Sequence, residues 1–111
     1  MASMTWREVV AIHNSQSGIS SKGGVVRSVL CNQAKESYAD EIRSDAVFYR
    51  VTAKTNPVGV QSLRGMVGMD KAIRVFEKLS VNHWWDHGEW FAHAHAAEGD
   101  GWVFLFQRSP P

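Results

Sequence analysis

The stretch from Asn82 to Ala97, NHWWDHGEWFAHAHAA, holds the residues of this chain that are best suited to chemistry. It contains four of the five histidines and three of the five tryptophans of the sequence. A carboxylate, Asp86, directly follows the Trp84–Trp85 pair. Aromatic walls with a carboxylate form a pocket for a flat ligand that donates hydrogen bonds, and a nucleobase is the commonest such ligand. Imidazoles at this spacing are also typical metal ligands, so the stretch has two chemical interpretations.

The length and composition are those of one folded domain, and we treat residues 1–111 as a single unit. Hydrophobic residues make up 44% of the chain, which is enough to build a core. The formal net charge is only +1, so the strongly basic balance of many nucleic-acid binders is missing. The single cysteine, Cys31, excludes an internal disulfide and a cysteine-based zinc site. No apolar run has the length of a membrane span or signal peptide, so we expect a cytoplasmic protein that does not contact a membrane.

Short strands are the elements expected to position the histidine- and tryptophan-rich stretch. Thr5 and Glu8 form a capping-box pattern that predicts a helix over residues 6–12. Alternating or β-branched patterns predict strands over 24–31, 45–52, 71–79, 89–96 and 102–108. The last two strands are joined by a tight turn and form a hairpin that carries part of the stretch.

The remaining segments are predicted to be connections or short helices. Residues 13–24 and 53–59 are polar and rich in turn-forming residues, which predicts loops, and 61–69 favours a short helix. A helical turn is expected within 34–42, where Tyr38 and Asp40 are candidates for the edge of a site. The sum predicts an α+β, mostly β fold: a small antiparallel β-barrel with one or two short helices.

The order of several short motifs resembles a known family. The motifs are Gly18-Ile19-Ser20-x-Lys22, Tyr38-x-Asp40, Phe48-Tyr49-Arg50, a Gly/Gln segment with Leu63, Ile73-Arg74-Val75-Phe76-Glu77, Trp84-Trp85-Asp86-x-Gly88-Glu89-Trp90 and Gly101–Arg108. They are similar to those of SRA-like (SET- and RING-associated) domains, which accompany nucleases in modification-dependent restriction systems and belong to the PUA-like barrels. Family members carry a VRVF strand, a YDG turn and a closing strand that ends in F-x-x-R. The resemblance covers residues 16–109, with His87 inserted between Asp86 and Gly88.

The resemblance implies that a modified cytosine is flipped out of duplex DNA into an aromatic pocket. Asp86 occupies the position of the aspartate that reads the Watson–Crick edge of the base. A carboxylate accepts a hydrogen bond from cytosine N4–H and repels O4 of thymine. The implied walls of the pocket are Tyr49 or Phe48 on one side and Trp84, Trp85, His93 or His95 on the other.

The same resemblance implies a set of DNA contacts outside the pocket. These candidates are Gln16, Lys22, Arg50, Lys54, Gln61, Arg64 and Arg74. No nuclease signature is present, so we expect a non-catalytic reader without a cofactor or metal. Its expected partners are double-stranded DNA that carries a modified cytosine and an associated nuclease domain or protein.

Two alternatives come from other classes of protein. On the predicted strand, Phe91, His93 and His95 share one face, while Trp90, Ala92, Ala94 and Ala96 share the other. Two histidines on one face can chelate a metal ion, and with Glu98 they resemble the ligand pattern of a small cupin-like metal enzyme. The exposed tryptophans would instead suit a protein-interaction module.

Overall fold

The computed structural model describes residues 3–34, 39–52 and 54–111, and within these ranges eight strands and two helices form the fold. In chain order they are β1 Ser3–Met4, α1 Trp6–His13, β2 Ile19–Lys22, β3 Val25–Cys31, β4 Glu41–Ile42, β5 Ala46–Val51, α2 Pro57–Met66, β6 Ile73–Ser80, β7 His83–Glu98 and β8 Gly101–Gln107. Across the same ranges, no helix combines the length and the apolar character that crossing a bilayer requires.

All the strands belong to one strongly curved sheet. The strands pair in the order β2-β3-β6-β7-β8-β5-β4, and β1 adds to the side of β7. The long strand β7 pairs with β6 through its first half and with β8 through its second. The mostly β prediction with two short helices is therefore confirmed. One feature differs from the predicted antiparallel barrel. Strands β3 and β6 run parallel, so the barrel is not wholly antiparallel.

One large core fills the interior of the curved sheet. Every strand from β2 to β8 except β4 contributes buried residues to it, and α2 closes it with Leu63 and Met66. Tyr49 of β5 lies in this core, stacks on Phe106, and donates a hydrogen bond from its hydroxyl to the carbonyl of Gly18 at 3.3 Å. This bond joins β5 to the residue that precedes β2. The two strands lie near opposite ends of the strand order.

A second, smaller cluster lies under α1, on the outer face of the sheet. The predicted capping box is confirmed: Thr5 accepts from the N–H of Glu8, and the Glu8 carboxylate accepts from the N–H of Thr5 at 2.9 Å. Val9 then packs against Phe76 and Trp84. At the other end of the helix, the buried His13 bonds Ser28 and the carbonyl of Ser17, both at 2.6 Å. These contacts fix both ends of α1 on the sheet.

Some predicted segments differ from the structure or lie partly outside its described residues. The loop predicted over 13–24 contains β2, because Ile19 is buried and pairs with Val29 although its neighbours are polar. Helix α2 begins at Pro57, four residues before the predicted start, since proline is well suited to the first helical turn. The helical turn expected within 34–42 lies partly outside the described residues, as does Tyr38.

Candidate functional site

Asp86 lies in β7 and is held by a neighbouring arginine and by the chain itself. The Arg74 guanidinium bonds both carboxylate oxygens: Nε reaches Oδ1 at 3.2 Å, and a second, short bond joins Nη2 to Oδ2. The N–H of Gly88 also donates to Oδ1, at 2.9 Å. The Asp86 side chain is 15% exposed, so the carboxylate is mostly shielded from water without being sealed in the core.

These contacts keep Asp86 ionised. Burial opposes ionisation of the carboxyl, but the hydrogen bonds from Arg74 and from the Gly88 N–H outweigh it and lower the pKa of Asp86 below its ordinary value of 3.8. The positive charge of Arg74 acts in the same direction. At neutral pH the group is therefore a carboxylate, which accepts hydrogen bonds and donates none.

Strand β7 contains a bulge just after Asp86, and this bulge is clamped from the end of the chain. The pairing of β6 with β7 shifts between Arg74 and Phe76, and Gly88 has a φ of 77°, which favours glycine. Arg108 lies over the ring of Trp90 at 3.9 Å and donates to the carbonyl of His87 at 2.6 Å. The arginine that ends the last motif thus fixes the shape of the bulge next to Asp86.

A second polar group lies beside this bulge. His87 Nε2 is 2.7 Å from one oxygen of Glu77, and the side-chain amide of Gln33 donates to the other oxygen at 2.6 Å. The side chains of His87 and Glu77 are 13% and 10% exposed. Within the described residues, His87 and Gln33 therefore occupy both oxygens of this buried carboxylate. His87, the extra residue between Asp86 and Gly88, therefore has a structural role as a partner of Glu77, which the motif alone did not indicate.

The rings predicted as pocket walls lie in separate places. Tyr49 is in the main core at 3% exposure, and Trp84 is in the second cluster at 7%, tilted against Trp6. Trp85 is half-buried. Phe48 and His95 line a small apolar cavity of about 130 Å³ on the other half of the sheet. The seven predicted base-binding residues therefore do not surround one cavity in this structure.

His93 and His95 do not share a face of β7, which corrects the predicted alternation. Ala92 pairs with Phe106 but Ala94 pairs with Leu105, so an extra residue interrupts the ladder at His93. As a result Ala92 is buried, whereas Ala94 and Ala96 are exposed.

The same bulge separates the proposed metal ligands. His93 Nε2 bonds the carbonyl of Ser109 at 2.6 Å, His95 packs on Trp102 and Phe104, and Glu98 pairs with Arg50. Over the three described ranges, no group of three or more histidine, cysteine or acidic side chains is placed to hold a metal ion. The cupin-like alternative has no support from this arrangement.

Arg50 and Asp40 organise the opposite part of the sheet. The Arg50 side chain donates to Glu98 at 2.9 Å, to the carbonyl of Ala39 at 2.9 Å and to Glu41 at 3.1 Å. The buried Asp40 carboxylate accepts from the N–H groups of Asn32 and Arg50, both at 2.8 Å. Asp40, predicted at the edge of a site, therefore holds β5 against the segment that follows β3.

The other predicted DNA contacts are exposed but dispersed. Gln16 lies between α1 and β2, Lys22 ends β2, and Lys54 precedes α2. Gln61 and Arg64 are brought together, because both line a polar cavity of about 310 Å³. In that cavity the Arg64 guanidinium lies 4.0 Å from the centre of the Trp102 ring.

A further polar cavity contains residues that the sequence did not single out. Asn14, Ser20, Ser21 and Arg27 line it together with Lys22, and its volume is about 360 Å³. The polar composition of residues 13–24 was visible in the sequence, but their assignment to a loop hid the pairing that brings Arg27 to Lys22.

The sequence itself has no significant match to a protein-family model or to a curated protein. Solved structures are similar in fold. The modification-dependent restriction endonuclease TagI matches with a TM-score of 0.74 and 15% identity, over 96% of this chain and 47% of its own. The SUVH5 SRA domain in complex with hemi-methylated CG DNA gives a TM-score of 0.75 and 20% identity, over 94% of this chain and 81% of its own. SUVH6 of Arabidopsis thaliana gives 0.72 and 20%, over 96% of this chain and 25% of its own.

The comparisons establish the fold. The TagI and SUVH6 chains are both longer than the matched region, and each match includes 96% of the present chain at a TM-score above 0.7. The chain spans about half of the length of the TagI chain. It therefore has the SRA-like fold, as the resemblance of its motifs predicted.

Proposed function

We propose that this chain is a non-catalytic reader of modified duplex DNA. The observation that carries the proposal is the SRA-like fold, shared at a TM-score of 0.75 with an SRA domain complexed with hemi-methylated DNA. The similar fold within TagI, a modification-dependent restriction endonuclease, favours a partnership with a nuclease that acts in the same chain or as a separate protein. Fold alone does not fix function, so the proposal also depends on the chemistry of the site residues.

The modified base is proposed to be a cytosine, with Asp86 as the reader of its edge. A carboxylate has about four acceptor positions. Among the described residues, Arg74 and Gly88 use three of those on Asp86, and the fourth position is on Oδ2. Cytosine presents an N4–H donor, whereas thymine presents an acceptor at the same place. An ionised acceptor that is mostly shielded from water favours the first base and repels the second.

The aromatic part of the pocket is proposed to assemble around the extruded base as DNA binds. Stacking of a base on a ring contributes about 1–3 kcal/mol, which is comparable to the few kcal/mol that unstacking the base costs. The candidate rings are Trp85, Phe48, His93 and His95, together with Tyr49 and Trp84, which would first have to leave their buried positions. Side-chain and loop movements of this kind are common in regulatory complexes.

The phosphate contacts are proposed to come from exposed basic side chains, with the uncharged Gln16 and Gln61 as further DNA contacts. The basic candidates without a carboxylate partner within the described residues are Lys22, Lys54 and Arg64. Arg50 and Arg74 are also candidates, but each would exchange a carboxylate partner for a phosphate. Because phosphate contacts carry no sequence information, they would set affinity and salt dependence and leave base selectivity to the pocket.

A set of titrations tests the proposal. Labelled duplexes that differ in a single cytosine (unmodified, 5-methyl, 5-hydroxymethyl or N4-methyl) are compared at one salt concentration. We expect at least one modified duplex to bind about tenfold or more tightly than the plain duplex. Equal affinity for all the duplexes would contradict the function as a reader, even if the protein binds DNA.

A further inference from the structure

The hairpin of β2 and β3 forms a compact cationic site at some distance in sequence from Asp86. Its cavity of about 360 Å³ is lined by Asn14, Ser20, Ser21, Lys22 and Arg27. Each of these side chains ends in a hydrogen-bonding group, and two of them carry a positive charge. The site thus combines two cations, two hydroxyls and an amide without an acidic residue in its lining.

An irregularity in the pairing of the hairpin brings the two cations together. Ser20 pairs with Ser28, but Ser21 pairs with Val26, so Arg27 is an extra residue in β3. A β-bulge of this kind changes the direction in which its side chain points. The Gly23–Gly24 turn, with φ values of 61° and 77°, places Lys22 close to the bulge. Without the bulge, Arg27 would follow the regular alternation of its strand.

The backbone of Asn14, which lines the site, is fixed by contacts within the fold. Asn14 ends α1 in a left-handed conformation with a φ of 54°, and its N–H donates to the carbonyl of Val10 at 2.7 Å. Next to it, the buried His13 joins α1 to Ser28 of β3. Asn14 is therefore held in place relative to the hairpin, so the site does not depend on flexible side chains alone.

No acidic side chain among the described residues neutralises the charges of this site. Arg43, Arg50 and Arg74 each form an ion pair with a carboxylate. Lys22 and Arg27 are exposed, and neither pairs with an acidic side chain in the part of the chain that the structure describes. Two free cations beside two hydroxyls match a tetrahedral oxyanion, because charge-assisted bonds and hydroxyl donors together can engage several of its oxygens.

We propose that the β2–β3 hairpin binds a phosphate group through Lys22 and Arg27, and that this phosphate belongs to the backbone of duplex DNA. The inference rests on the proposed function for the source of the phosphate. It extends that function because it assigns affinity to a site separate from the residue that reads the base. Loss of this site should weaken binding to modified and plain duplexes by the same factor.

The test uses the double variant Lys22→Gln/Arg27→Gln and measures dissociation constants for a matched pair of modified and plain duplexes. We expect affinity for both duplexes to fall about tenfold or more. We also expect the slope of log affinity against log salt to decrease by about 2, one for each contact removed. The ratio between the two duplexes should not change. The control is Arg7→Gln, an exposed arginine in α1, which should leave affinity and slope nearly unchanged.

Lys22→Arg/Arg27→Lys keeps both charges and should restore most of the affinity, which separates loss of the phosphate contact from damage to the hairpin. An affinity and salt slope of the glutamine variant equal to those of Arg7→Gln would overturn the proposal. A wild-type protein that binds modified and plain DNA equally would contradict the reader function, yet the hairpin would still be tested by its effect on affinity.

If no duplex binds, the proposal that the phosphate belongs to DNA is wrong. A titration with inorganic phosphate, followed through the NMR amide shifts of Ser20, Ser21 and Arg27, then decides what the site is. Saturable shifts would show a site for free phosphate, and their absence would overturn the phosphate site altogether.

Discussion

Asp86 was predicted to contact a base and Arg74 a phosphate. In the structure the two side chains form an ion pair with each other. Since the Arg74 side chain is 42% exposed, solvent screens much of the attraction, and the pair contributes only about 1 kcal/mol to stability. Its main effect is to orient the carboxylate. Arg74 therefore acts on Asp86 as a positioning residue whether or not it also reaches a phosphate.

The ion pair predicts how stability depends on pH. The pKa of folded Asp86 is lowered, so its stabilising effect is present above the ordinary value of 3.8 and is lost as the pH falls through the folded pKa. Asp86→Asn should lower the free energy of unfolding by about 1 kcal/mol at about pH 7. The difference from wild type should shrink towards about pH 3. Urea unfolding at the two pH values measures this, with the exposed Asp45→Asn as control. A difference that stays constant over this range would contradict the assignment.

His13 predicts a second pH effect, in a different range. Burial lowers its pKa from 6.5, and the hydrogen bond to the Ser17 carbonyl only partly opposes this. The unfolded chain therefore takes up a proton more readily than the folded one, and stability should fall as the pH drops below 6.5. Because a carbonyl can only accept, neutral His13 carries its proton on Nε2 and accepts from Ser28 through Nδ1.

Thermal unfolding at about pH 7.5 and about pH 5.5 checks this effect. The shift in melting temperature between the two conditions should be smaller in His13→Gln than in wild type. In His83→Gln, which alters an exposed histidine, it should match wild type. An unchanged shift in His13→Gln would show that another group is responsible.

At the scale of elements, the close approach of β8 to the end of β5 leaves no room for a side chain at Gly101. A Cβ added there would lie 1.9 Å from the carbonyl oxygen of Val51, which is backbone and cannot move aside easily. Gly101→Ala should therefore destabilise the protein by about 3 kcal/mol or more.

Gly65 provides the matched control for that substitution. It lies within α2, where an added Cβ meets nothing within 4 Å. Gly65→Ala should stabilise the protein by about 0.5–1 kcal/mol, because alanine loses less backbone entropy in a helix. Chemical denaturation of both variants measures the two effects, and opposite signs are expected. A Gly101→Ala protein as stable as wild type would contradict the packing of β8 on β5.

The elements also show what the sequence could predict about the site and what it could not. The capping box of α1 and the alternation of Val47, Tyr49 and Val51 are local patterns, and both are confirmed. The bulges at Arg27 and His93 are not local patterns, because each depends on how two strands pair. The same limit explains why His93 and His95 were wrongly placed on one face.

On the scale of the whole molecule, the resemblance of the motifs to those of SRA-like domains predicted the fold, and the similar solved structures confirm it. The strand and helix patterns alone predicted only a small, mostly β barrel with one or two short helices. The parallel pairing of β3 with β6 brings Ser28 beside Arg74, which are far apart in the sequence. Long-range pairings of this kind decide which charged residues meet, so the ion pair of Asp86 and the cavity around Lys22 emerged only from the structure.

In the proposed mode of binding, recognition is divided between two places: the β2–β3 hairpin supplies affinity for any duplex, and Asp86 supplies the choice of base. Variants at Lys22 and Arg27 should change the affinity alone, while Asp86→Asn should change the selectivity. A double-mutant cycle with measured dissociation constants tests this division. Additive effects are expected because, among the described residues, no side chain that lines the hairpin cavity is bonded to Asp86 or Arg74. Strong coupling between them would contradict it.

The central claim, that Asp86 reads the edge of an extruded cytosine, is tested most directly with two bases that share a 5-methyl group. A 5-methylcytosine opposite guanine is compared with a thymine opposite guanine in the same duplex, since the bases differ at the position that Asp86 would contact. The mismatched thymine leaves the stack more easily, so ease of extrusion alone would favour it. We predict that wild type binds the 5-methylcytosine duplex about tenfold or more tightly and that Asp86→Asn loses this preference. Equal or tighter binding of the thymine duplex by wild type would contradict the claim.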